Sequence, residues 1–455
     1  MEKQTQRTQI DMLHGPLWNK IIKYALPVAA TGILEQLFNA SDLAIVGNFT
    51  GNAKTIAVAA VGANSPIIGL ILNFFIGIAL GANVVIANAI GRKDEPTIHK
   101  AVHTSVIMAI VGGILTTIIG EIFIGYLLQM LHVPGEVLPY ALMYIRIYLL
   151  GMPVILLYNF EAAIYRSIGE TRIPLKALAV SGVLNVLLNL FFVIVLKMTV
   201  NGVAIATVMA NVVSSVILLI KLMKMDSIVR IDRKDLRFDR NIFIKIMKIG
   251  LPAGIQTAVF AVANIVIQSA INSLGTIVIA ASSAALNIEI CVYDIMNSFS
   301  QACTTFVGQN FGAGQLKRCR KAFILCILED AIATAVMIVI VLFFGKSLLA
   351  IFNSDPQVVK IGYTRLLIVF AAYTFSMLYE NMSGYLRGFG ISLVPAVLTI
   401  IGVCGVRIIW ICTVFPTNRT FKTIMMAYPL SLAVTAALIF IALLGYRPSK
   451  TKNKE

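Results

Sequence analysis

Acidic and amide side chains recur at helical spacing inside an apolar stretch near the N-terminus. Glu35, Asn39 and Asp42 are separated by four and three residues, which puts them on one face of a helix. A charged side chain at the centre of a membrane span costs about 2.5–3.5 kcal/mol on insertion scales, so two acids on one stripe must face protein or water. Burial disfavours the charged form of a carboxyl group. This stripe therefore predicts a site that binds and releases a proton or a cation.

Two later apolar stretches carry amide and hydroxyl side chains at the same spacing. Ser181, Asn185 and Asn189 are four residues apart, and so are Thr207 and Asn211. Three polar stripes can thus converge inside one part of the molecule. Polar side chains also join membrane helices without any transport role, and for these amides and hydroxyl groups both interpretations stay open. For Asp42 we favour the functional interpretation, because a neutral residue would join helices at a lower cost.

The composition indicates that these stretches cross a membrane. The 455 residues are 58% hydrophobic and 13% charged, and the mean hydropathy of +0.88 is too high for a soluble protein of this length. Apolar runs of about 20 residues or more, each able to cross the hydrocarbon core, recur along the whole chain. The sequence therefore predicts an all-α integral membrane protein. Its twelve transmembrane helices are predicted at 19–46, 55–88, 100–128, 137–160, 174–196, 201–222, 242–271, 276–309, 321–344, 358–384, 393–414 and 421–445.

The chain repeats itself once. Leu26-Pro27 recurs as Leu251-Pro252, and the segments 91–101 and 166–169 recur as 312–322 and 387–390. Each half has six spans, which is an even number, so both halves enter the membrane from the same side. The pseudo-two-fold axis that relates them therefore runs along the membrane normal. The predicted organisation is an N-terminal segment 1–18, a first six-helix half 19–224, a charged linker 225–240, a second six-helix half 241–446 and a tail 447–455.

The net charge of +16 lies mainly on one side of the predicted membrane. Alternate connections and the two termini hold 28 Arg and Lys residues, whereas the opposite connections hold 5. This positive-inside asymmetry predicts a multi-pass protein of the cell membrane with both termini in the cytoplasm. It also argues against a nucleic-acid partner, because the basic residues follow the membrane topology rather than one binding face.

The second half places its charged groups differently. We expect structural ion pairing for Glu329 and Asp330, with Arg365 and Arg407 available as partners within spans. The other acids of this half stay open as a second ion site. The side chains predicted to line a substrate cavity are Gln36, Asn39, Gln256, Asn264, Glu289, Asp294 and Glu380.

Several motifs resemble the multidrug and toxic compound extrusion (MATE) transporters over roughly residues 15–446. They are Leu26-Pro27, the segments 39–47 (NASDLAIVG), 58–62 (VAAVG) and 307–314 (VGQNFGAG), and the two Arg-x-x-Gly stretches at Arg166 and Arg387. In related transporters an Asp on the first helix, 15 residues after a helix-kinking Pro, is central to cation coupling. Asp42 and Pro27 match that pair. The resemblance implies a twelve-helix transporter that uses no cofactor besides its coupling ion.

The resemblance also assigns further ion-site residues and reveals departures. The family's fifth-helix Asn and the Asp one turn later fall on Asn185 and Asn189, and its sixth-helix Thr falls on Thr207. Asn189 replaces a carboxylate by an amide. Phe260 and Ser376 stand where the NorM-type branch has acids, which favours the DinF-like side of the family. Glu35 occupies the first-half position equivalent to Phe260 and can compensate for the lost charge.

These observations predict a monomeric secondary exporter, in contact with membrane lipids, that exchanges H⁺ or Na⁺ for organic cations or amphipathic drugs. The two halves would rock in alternating access, with Pro27 as a hinge or, equally, as a static kink. No metal other than Na⁺ is expected. A flippase of lipid-linked glycans is the alternative, although it should line its cavity with Arg or Lys. A membrane-embedded enzyme is a more distant alternative, since the spans carry no Ser/His or paired Asp-rich motif.

Overall fold

The computed structural model describes residues 9–51, 54–131 and 133–446, and within these ranges the chain forms helices and connections with no strand. The first six helices are α1 Trp18–Phe49, α2 Lys54–Arg92, α3 Glu95–Met130, α4 in two segments Leu138–Leu150 and Met152–Ser167, α5 Arg172–Leu190 and α6 Val200–Lys224. The next six are α7 Arg240–Asn272, α8 Thr276–Gly312, α9 Leu316–Phe352, α10 in two segments Pro356–Ala371 and Tyr373–Gly388, α11 Leu393–Thr413 and α12 Phe421–Tyr446.

Ten of these helices are long and apolar enough to cross a membrane, and the bent pairs α4 and α10 bring the number to twelve when each pair is one span. The all-α membrane fold predicted from hydropathy is therefore confirmed within the described ranges. Residues 1–8 of the predicted N-terminal segment and the predicted tail 447–455 lie outside the described residues.

Proline and irregular turns interrupt several spans. The segments of α4 meet at 51°, where Gly151 ends one helix and Pro153 opens the next. Proline has no N–H to donate to the preceding turn, so it is tolerated at a helix start and breaks a helix interior. The segments of α10 meet at 46°. Two π-helical segments, Phe191–Val195 after α5 and Ile400–Gly405 within α11, also depart from α-helical spacing.

The described residues group into two compact units. Ala30–Ile90 and Asp94–Met247 belong to one unit, whereas Asp11–Ala29, Gly91–Lys93 and the chain from Lys248 onward belong to the other. Helix α1 therefore contributes to both units, and the division falls between Ala29 and Ala30, just after Pro27. The predicted boundaries of the two sequence halves stay a prediction.

In the first unit, α6 packs against α5 and against both segments of α4, while α3 packs against the second segment of α4. A side chain at Gly113 of α3 would overlap the backbone of Pro153, so the absence of a Cβ lets these two helices approach closely. In the second unit, α8 packs against α9 and both segments of α10, and α12 packs against the second segment of α10. These contacts fix the rotation of each helix and thereby decide which polar side chains meet.

The segment ahead of α1 is anchored to the second unit. Arg318 on α9 donates to three of its carbonyl oxygens, from Nε to Met12 at 3.2 Å, from Nη1 to Gly15 at 2.9 Å and from Nη2 to His14 at 3.0 Å. Asn310 donates to the same Met12 carbonyl at 3.1 Å. The single guanidinium thus satisfies a backbone turn that has no partner within a helix.

The central linker is anchored to the first unit in a comparable way. Lys100 forms an ion pair with Asp239 at 3.2 Å, and the hydroxyl of Thr104 accepts from the Asp239 backbone N–H at 3.1 Å. The backbone N–H of Ile242 and the Lys100 ammonium both favour the charged carboxylate, so they hold the pKa of Asp239 below its usual value. Asp239 therefore stays ionised, which keeps the end of the linker at the start of α3.

Candidate functional site

Two helices bring donor groups to the carboxylate of Asp42, which lies on a third. Asp42 on α1 is 6% exposed, and its Oδ1 accepts from the Asn189 Nδ2 of α5 at 2.6 Å. Its Oδ2 accepts from the Thr207 hydroxyl of α6 at 3.1 Å. Both carboxylate oxygens are therefore hydrogen-bonded by groups from other helices, and the polar stripes of α1, α5 and α6 converge here.

The same groups form a small network that can reorganise. Asn189 Nδ2 also lies 3.2 Å from Asn185 Oδ1, and Asn185 Nδ2 donates to the Thr207 hydroxyl at 3.3 Å. The single hydroxyl hydrogen of Thr207 has a second acceptor in the Val203 carbonyl at 2.9 Å, so it can point to Asp42 or to its own helix. A change of charge on Asp42 can thus be met by rotation of one hydroxyl group.

A cavity of about 140 Å³ adjoins Asp42, which is room for several water molecules. Glu35 and Asn39 of the predicted stripe line it, whereas Gln36 is not among its lining residues. From the other stripes it receives Ser181, Asn185, Thr207 and Asn211. Residues of all three predicted stripes therefore line one cavity, whereas Gln36, which was predicted to line the substrate cavity, does not line this one.

Helix α4 contributes side chains that the sequence analysis missed. Tyr148, Tyr158 and Asn159 line the same cavity, with Tyr148 and Tyr158 from opposite sides of the α4 bend. These three residues do not follow a regular helical spacing, because the bend at Gly151 changes which residues of α4 lie on the same face. A proline inside a predicted span was the available signal that α4 turns there.

A close approach of α1 and α5 narrows this cavity on one side. A Cβ at Gly182 of α5 would overlap the ring of Phe38 of α1, so glycine is required for the two helices to approach this closely. Phe38 and Gly182 both line the cavity. The approach carries Asn185 and Asn189, on the same face of α5, toward Asp42.

Glu161, another buried acid of the first unit, was also missed. It lies at the end of the predicted fourth span, is fully buried, and accepts from the Ser215 hydroxyl at 3.0 Å. The predicted fourth span ends at residue 160, one residue before Glu161, whereas the helix continues to Ser167. The apolar run continues beyond Glu161. An acidic residue inside an apolar run was therefore the signal that could have identified it.

In the second unit, the buried ion pair differs from the expected one. Arg365 donates from Nε to Glu289 Oε1 at 2.6 Å and from Nη2 to Oε2 at 2.9 Å, and its Nη1 donates to Ser282 at 2.6 Å. Glu289 is therefore engaged on both oxygens, which conflicts with its place in a second ion site or substrate cavity. Such a bidentate pair has the geometry of a structural link between α8 and α10.

The prediction that Glu329 and Asp330 form ion pairs is wrong for the described residues. Asp330 accepts from Thr334 at 2.9 Å and from Asn381 at 2.6 Å, which are neutral groups. Neither buried carboxylate oxygen of Glu329 has a hydrogen-bond partner in the part of the chain that the structure describes. The two acids follow each other on α9 and so point to different neighbours, neither of them a cation.

The remaining predicted residues of the second unit are spread over several helices. Glu380 is 5% exposed and accepts from the Tyr293 hydroxyl at 3.1 Å. Asp294 has a buried Oδ2 with no hydrogen-bond partner within the described ranges. The other two pair with arginines: Gln256 Oε1 accepts from Arg387 at 2.9 Å, and Asn264 Oδ1 lies 3.5 Å from an Arg407 nitrogen. No three His, Cys, Asp or Glu side chains cluster as metal ligands in residues 9–51, 54–131 and 133–446.

Comparison with known proteins decides the family. A family model described as MatE matches residues 27–191 and 252–412, which together are more than half of the chain. The chain belongs to the MatE family. The match covers both halves and contains the repeated segments and the motifs that predicted this resemblance, apart from Leu26 and Leu251, which lie one residue ahead of the two matched ranges. This MatE protein is a membrane transporter rather than an enzyme.

Two relatives and one solved structure are similar to this chain over most of its length. The probable multidrug resistance protein YoeA of Bacillus subtilis (strain 168) is 25% identical, covering 96% of this chain and 95% of its own length. The probable multidrug resistance protein NorM of Thermotoga maritima is 26% identical over 86% of this chain and 84% of its own length. The outward-facing structure of a multidrug resistance MATE family transporter of the MOP superfamily matches with a TM-score of 0.88 at 22% identity, covering 98% of this chain and 99% of that chain. At that identity the structure supports the shared fold.

Proposed function

We propose that this MatE protein is a secondary exporter that moves organic cations or amphipathic drugs in exchange for H⁺ or Na⁺. The observation that carries the proposal is Asp42, a buried carboxylate held by Asn189 and Thr207 beside a cavity lined by Glu35 and Asn39. Negative and amide groups around that cavity suit a cationic substrate. Both relatives are named as probable multidrug resistance proteins, which supports the same substrate class.

Charge on Asp42 would drive the cycle by favouring one facing state over the other. An ion shifts a conformational equilibrium only when it binds the two states unequally. Protonation of Asp42 would remove its charge and turn the hydroxyl hydrogen of Thr207 to the carbonyl of Val203, which reverses the direction of the hydrogen bond between α1 and α6. Pro27 removes one backbone hydrogen bond of α1, and the division between the two units falls just after it, which supports a hinge there.

We favour H⁺ as the coupling ion. Na⁺ binds to oxygen ligands, but Asn189 turns its NH₂ group, not its oxygen, toward Asp42 at 2.6 Å. Thr207 likewise donates to the other carboxylate oxygen. A carboxylate surrounded by donors can take up or release a proton without moving these neighbours far, whereas a cation would require the amide of Asn189 to rotate.

The test of this function is transport by purified protein in liposomes. We expect a pH gradient, acidic on the side that receives the drug, to drive uphill movement of a cationic dye in the absence of Na⁺. The reason is that proton exchange needs only the Asp42 carboxylate. Dye accumulation and the scrambling of fluorescent lipid would be measured in the same vesicles. Transport that requires Na⁺ and survives collapse of the pH gradient would reverse the choice of ion, and lipid flipping without drug movement would favour a flippase.

A variant of Asn189 sharpens the same test. Asn189→Asp places a second carboxylate at the position from which Asn189 now donates to Asp42, as the family pattern implies. Two acids at that distance add negative charge for a cation, so we expect Na⁺ dependence to strengthen relative to the unmodified protein. An unchanged ion dependence would remove Asn189 from the coupling site.

We also propose that the chain stands closer to the DinF-like than to the NorM-type branch. Support comes from Phe260 and Ser376, which are neutral where the NorM-type branch has acids. Glu289 on α8, another acid of the second unit, is engaged by Arg365. Coupling would then rest on the first unit. The proposed substrate contacts are Asn39 in the first unit and Gln256 and Asn264 in the second.

We propose a cell-membrane orientation with both termini in the cytoplasm and the protein acting as a monomer. The support for the orientation is the asymmetry of 28 against 5 basic residues between alternate connections. Single cysteines introduced by Gly51→Cys or Asn418→Cys should react with a membrane-impermeant maleimide added to intact cells, and one introduced by Ser227→Cys should react after lysis alone. The background is a version in which the native cysteines, of which Cys412 is exposed, are replaced by serine or alanine. Labelling of the Ser227 variant in intact cells would overturn the orientation.

A further inference from the structure

Two buried arginines inside the spans of the second unit, Arg387 and Arg407, have no acidic partner among the described residues. Only Arg407 has an exposed hydrogen-bond neighbour, Asn264. Arg407 on α11 is 4% exposed, and no carboxylate of the described residues lies within ion-pair distance of it. By contrast, Arg365 in the same unit is neutralised by Glu289 at 2.6 Å. A buried, unpaired charge inside a membrane is costly and therefore marks a functional group more often than a structural one.

The hydrogen bonds of Arg407 leave part of its guanidinium group unused. Its Nε donates to the Ser431 hydroxyl of α12 at 3.1 Å. Its Nη1 lies 3.5 Å from Asn264 Oδ1 of α7, which is the long limit of a hydrogen bond. No acceptor in the described part of the chain hydrogen-bonds its Nη2. Asn264 itself is exposed, so the group that approaches Arg407 from this side can come from outside the fold.

Aromatic rings provide the remaining surroundings. The guanidinium carbon lies 4.2 Å from the ring centroid of Tyr428 on α12 and 5.8 Å from that of Phe260 on α7. Ring faces attract the cation but bring no net negative charge, so they hold the side chain in place without neutralising it. The Tyr428 ring also lies 5.5 Å from the guanidinium carbon of Arg365. Tyr428 and Phe260 are both half-buried, so their exposed parts can contact an aromatic molecule that reaches Arg407.

The backbone of α11 positions Arg407 for this role. The π-helical segment Ile400–Gly405 ends two residues before it, and such segments are frequent at functional sites. Gly402 within that segment allows α11 to approach Thr435 of α12, where any side chain would overlap. Ser431, the hydrogen-bond acceptor of Arg407, lies one turn earlier on α12. Three helices therefore converge to fix a single guanidinium group.

We propose that Arg407, with Asn264 and the rings of Phe260 and Tyr428, binds the anionic group of an aromatic amphiphile, that is, a carboxylate, sulfonate or phosphate attached to a flat ring system. The planar fork of the guanidinium matches two oxygens of such a group, and the neighbouring rings contact its apolar part. The assignment extends the proposed transport function, on which its role as a substrate contact rests, to substrates that carry a negative charge.

The test measures equilibrium binding and needs no ion gradient. The protein in phosphatidylcholine nanodiscs is dialysed against anilinonaphthalene sulfonate or against N-phenylnaphthylamine, which has the same rings without the sulfonate, with empty nanodiscs as the blank. Arg407→Gln should weaken binding of the sulfonate dye by about tenfold or more, because one charge-assisted contact is lost. It should leave binding of the neutral dye nearly unchanged. Arg146→Gln, which removes the same charge from the half-exposed pair with Glu121, should change neither.

Arg407→Lys keeps the charge and guards against a variant that fails to fold. It should show an intermediate loss for the sulfonate dye, since the ammonium cannot offer a planar fork. An equal loss of both dyes in folded Arg407→Gln, or unchanged binding of the sulfonate dye in both variants, would overturn the proposal. If phosphatidylglycerol in the nanodiscs displaces the sulfonate dye, the site binds a lipid headgroup. That result would overturn the proposal that it binds a soluble substrate. Failure of ion-driven export would contradict the proposed function and leave these binding results intact.

Discussion

Asp42→Asn is expected to reduce ion-driven export to the level of empty liposomes while the protein remains inserted and folded. The amide has the size of the carboxyl group but cannot gain or lose a charge, so the ion gradient would no longer shift the equilibrium between facing states. The result would be measured as uphill dye transport in proteoliposomes, at equal protein content in each vesicle preparation.

The network around Asp42 explains why this variant should fold. The amide oxygen that the substitution introduces can still accept from Asn189, as Oδ1 of Asp42 does at 2.6 Å. The introduced NH₂ group would face Thr207, whose hydroxyl can turn its hydrogen to the Val203 carbonyl at 2.9 Å and accept instead. Every polar group of the network keeps a partner, so the loss of transport would not be a loss of structure.

A matched control makes the same chemical change at an exposed acid. Asp226→Asn in the central linker should transport at the unmodified rate, because Asp226 is exposed and lies outside the site. Normal uphill export by Asp42→Asn would move coupling elsewhere, to Asp294 or Glu380, since Glu289 is engaged by Arg365.

The second large effect is expected at the buried ion pair of the second unit. Arg365→Met or Glu289→Gln should each lower the free energy of unfolding by about 3–5 kcal/mol, because each leaves a buried charge without its partner. The double variant should recover much of that loss, since no charge is then left unpaired. Denaturant-induced unfolding in mixed micelles, followed by circular dichroism, would give the three values and their coupling energy.

The exposed pair of Arg146 and Glu121, at 3.4 Å, is the control. Arg146→Met should lower the free energy of unfolding by less than Arg365→Met does, because its pair is half-exposed and has one contact of 3.4 Å in place of two at 2.6 and 2.9 Å. If Arg365→Met keeps full stability and instead loses transport, the pair has a role in the transport cycle and the structural interpretation is wrong.

Many features of the site were predictable from local spacing. The stripe of Glu35, Asn39 and Asp42 was evident because residues three and four apart share a helix face wherever the helix lies. The same rule placed Asn185 and Asn189 on one face of α5. The family motif then singled out Asp42 among the acids, and the structure brings Thr207 to it at 3.1 Å. The roles of these residues in coupling stay predictions.

Partners between helices were much less predictable. The sequence placed Arg365, Glu289, Glu329 and Asp330 inside spans, but spacing along a helix says nothing of the rotation of one helix against another. That rotation pairs Arg365 with Glu289 and gives Asp330 the neutral partner Asn381. The bend at Gly151, which carries Tyr148 and Tyr158 to the cavity, likewise depends on how α4 packs.

The sequence by itself determined the membrane class, the spans, the internal repeat and the charge asymmetry, because apolar length and the position of charges are properties of each segment alone. Only the tertiary structure decided which polar groups meet: that Asn189 turns its NH₂ group to Asp42, and that Arg407 lies between aromatic rings without an acid among the described residues. The physical reason is that a buried polar group is stabilised by the atoms within about 3 Å of it. Those atoms come from helices far apart in the chain, whose relative rotation and displacement are set by packing.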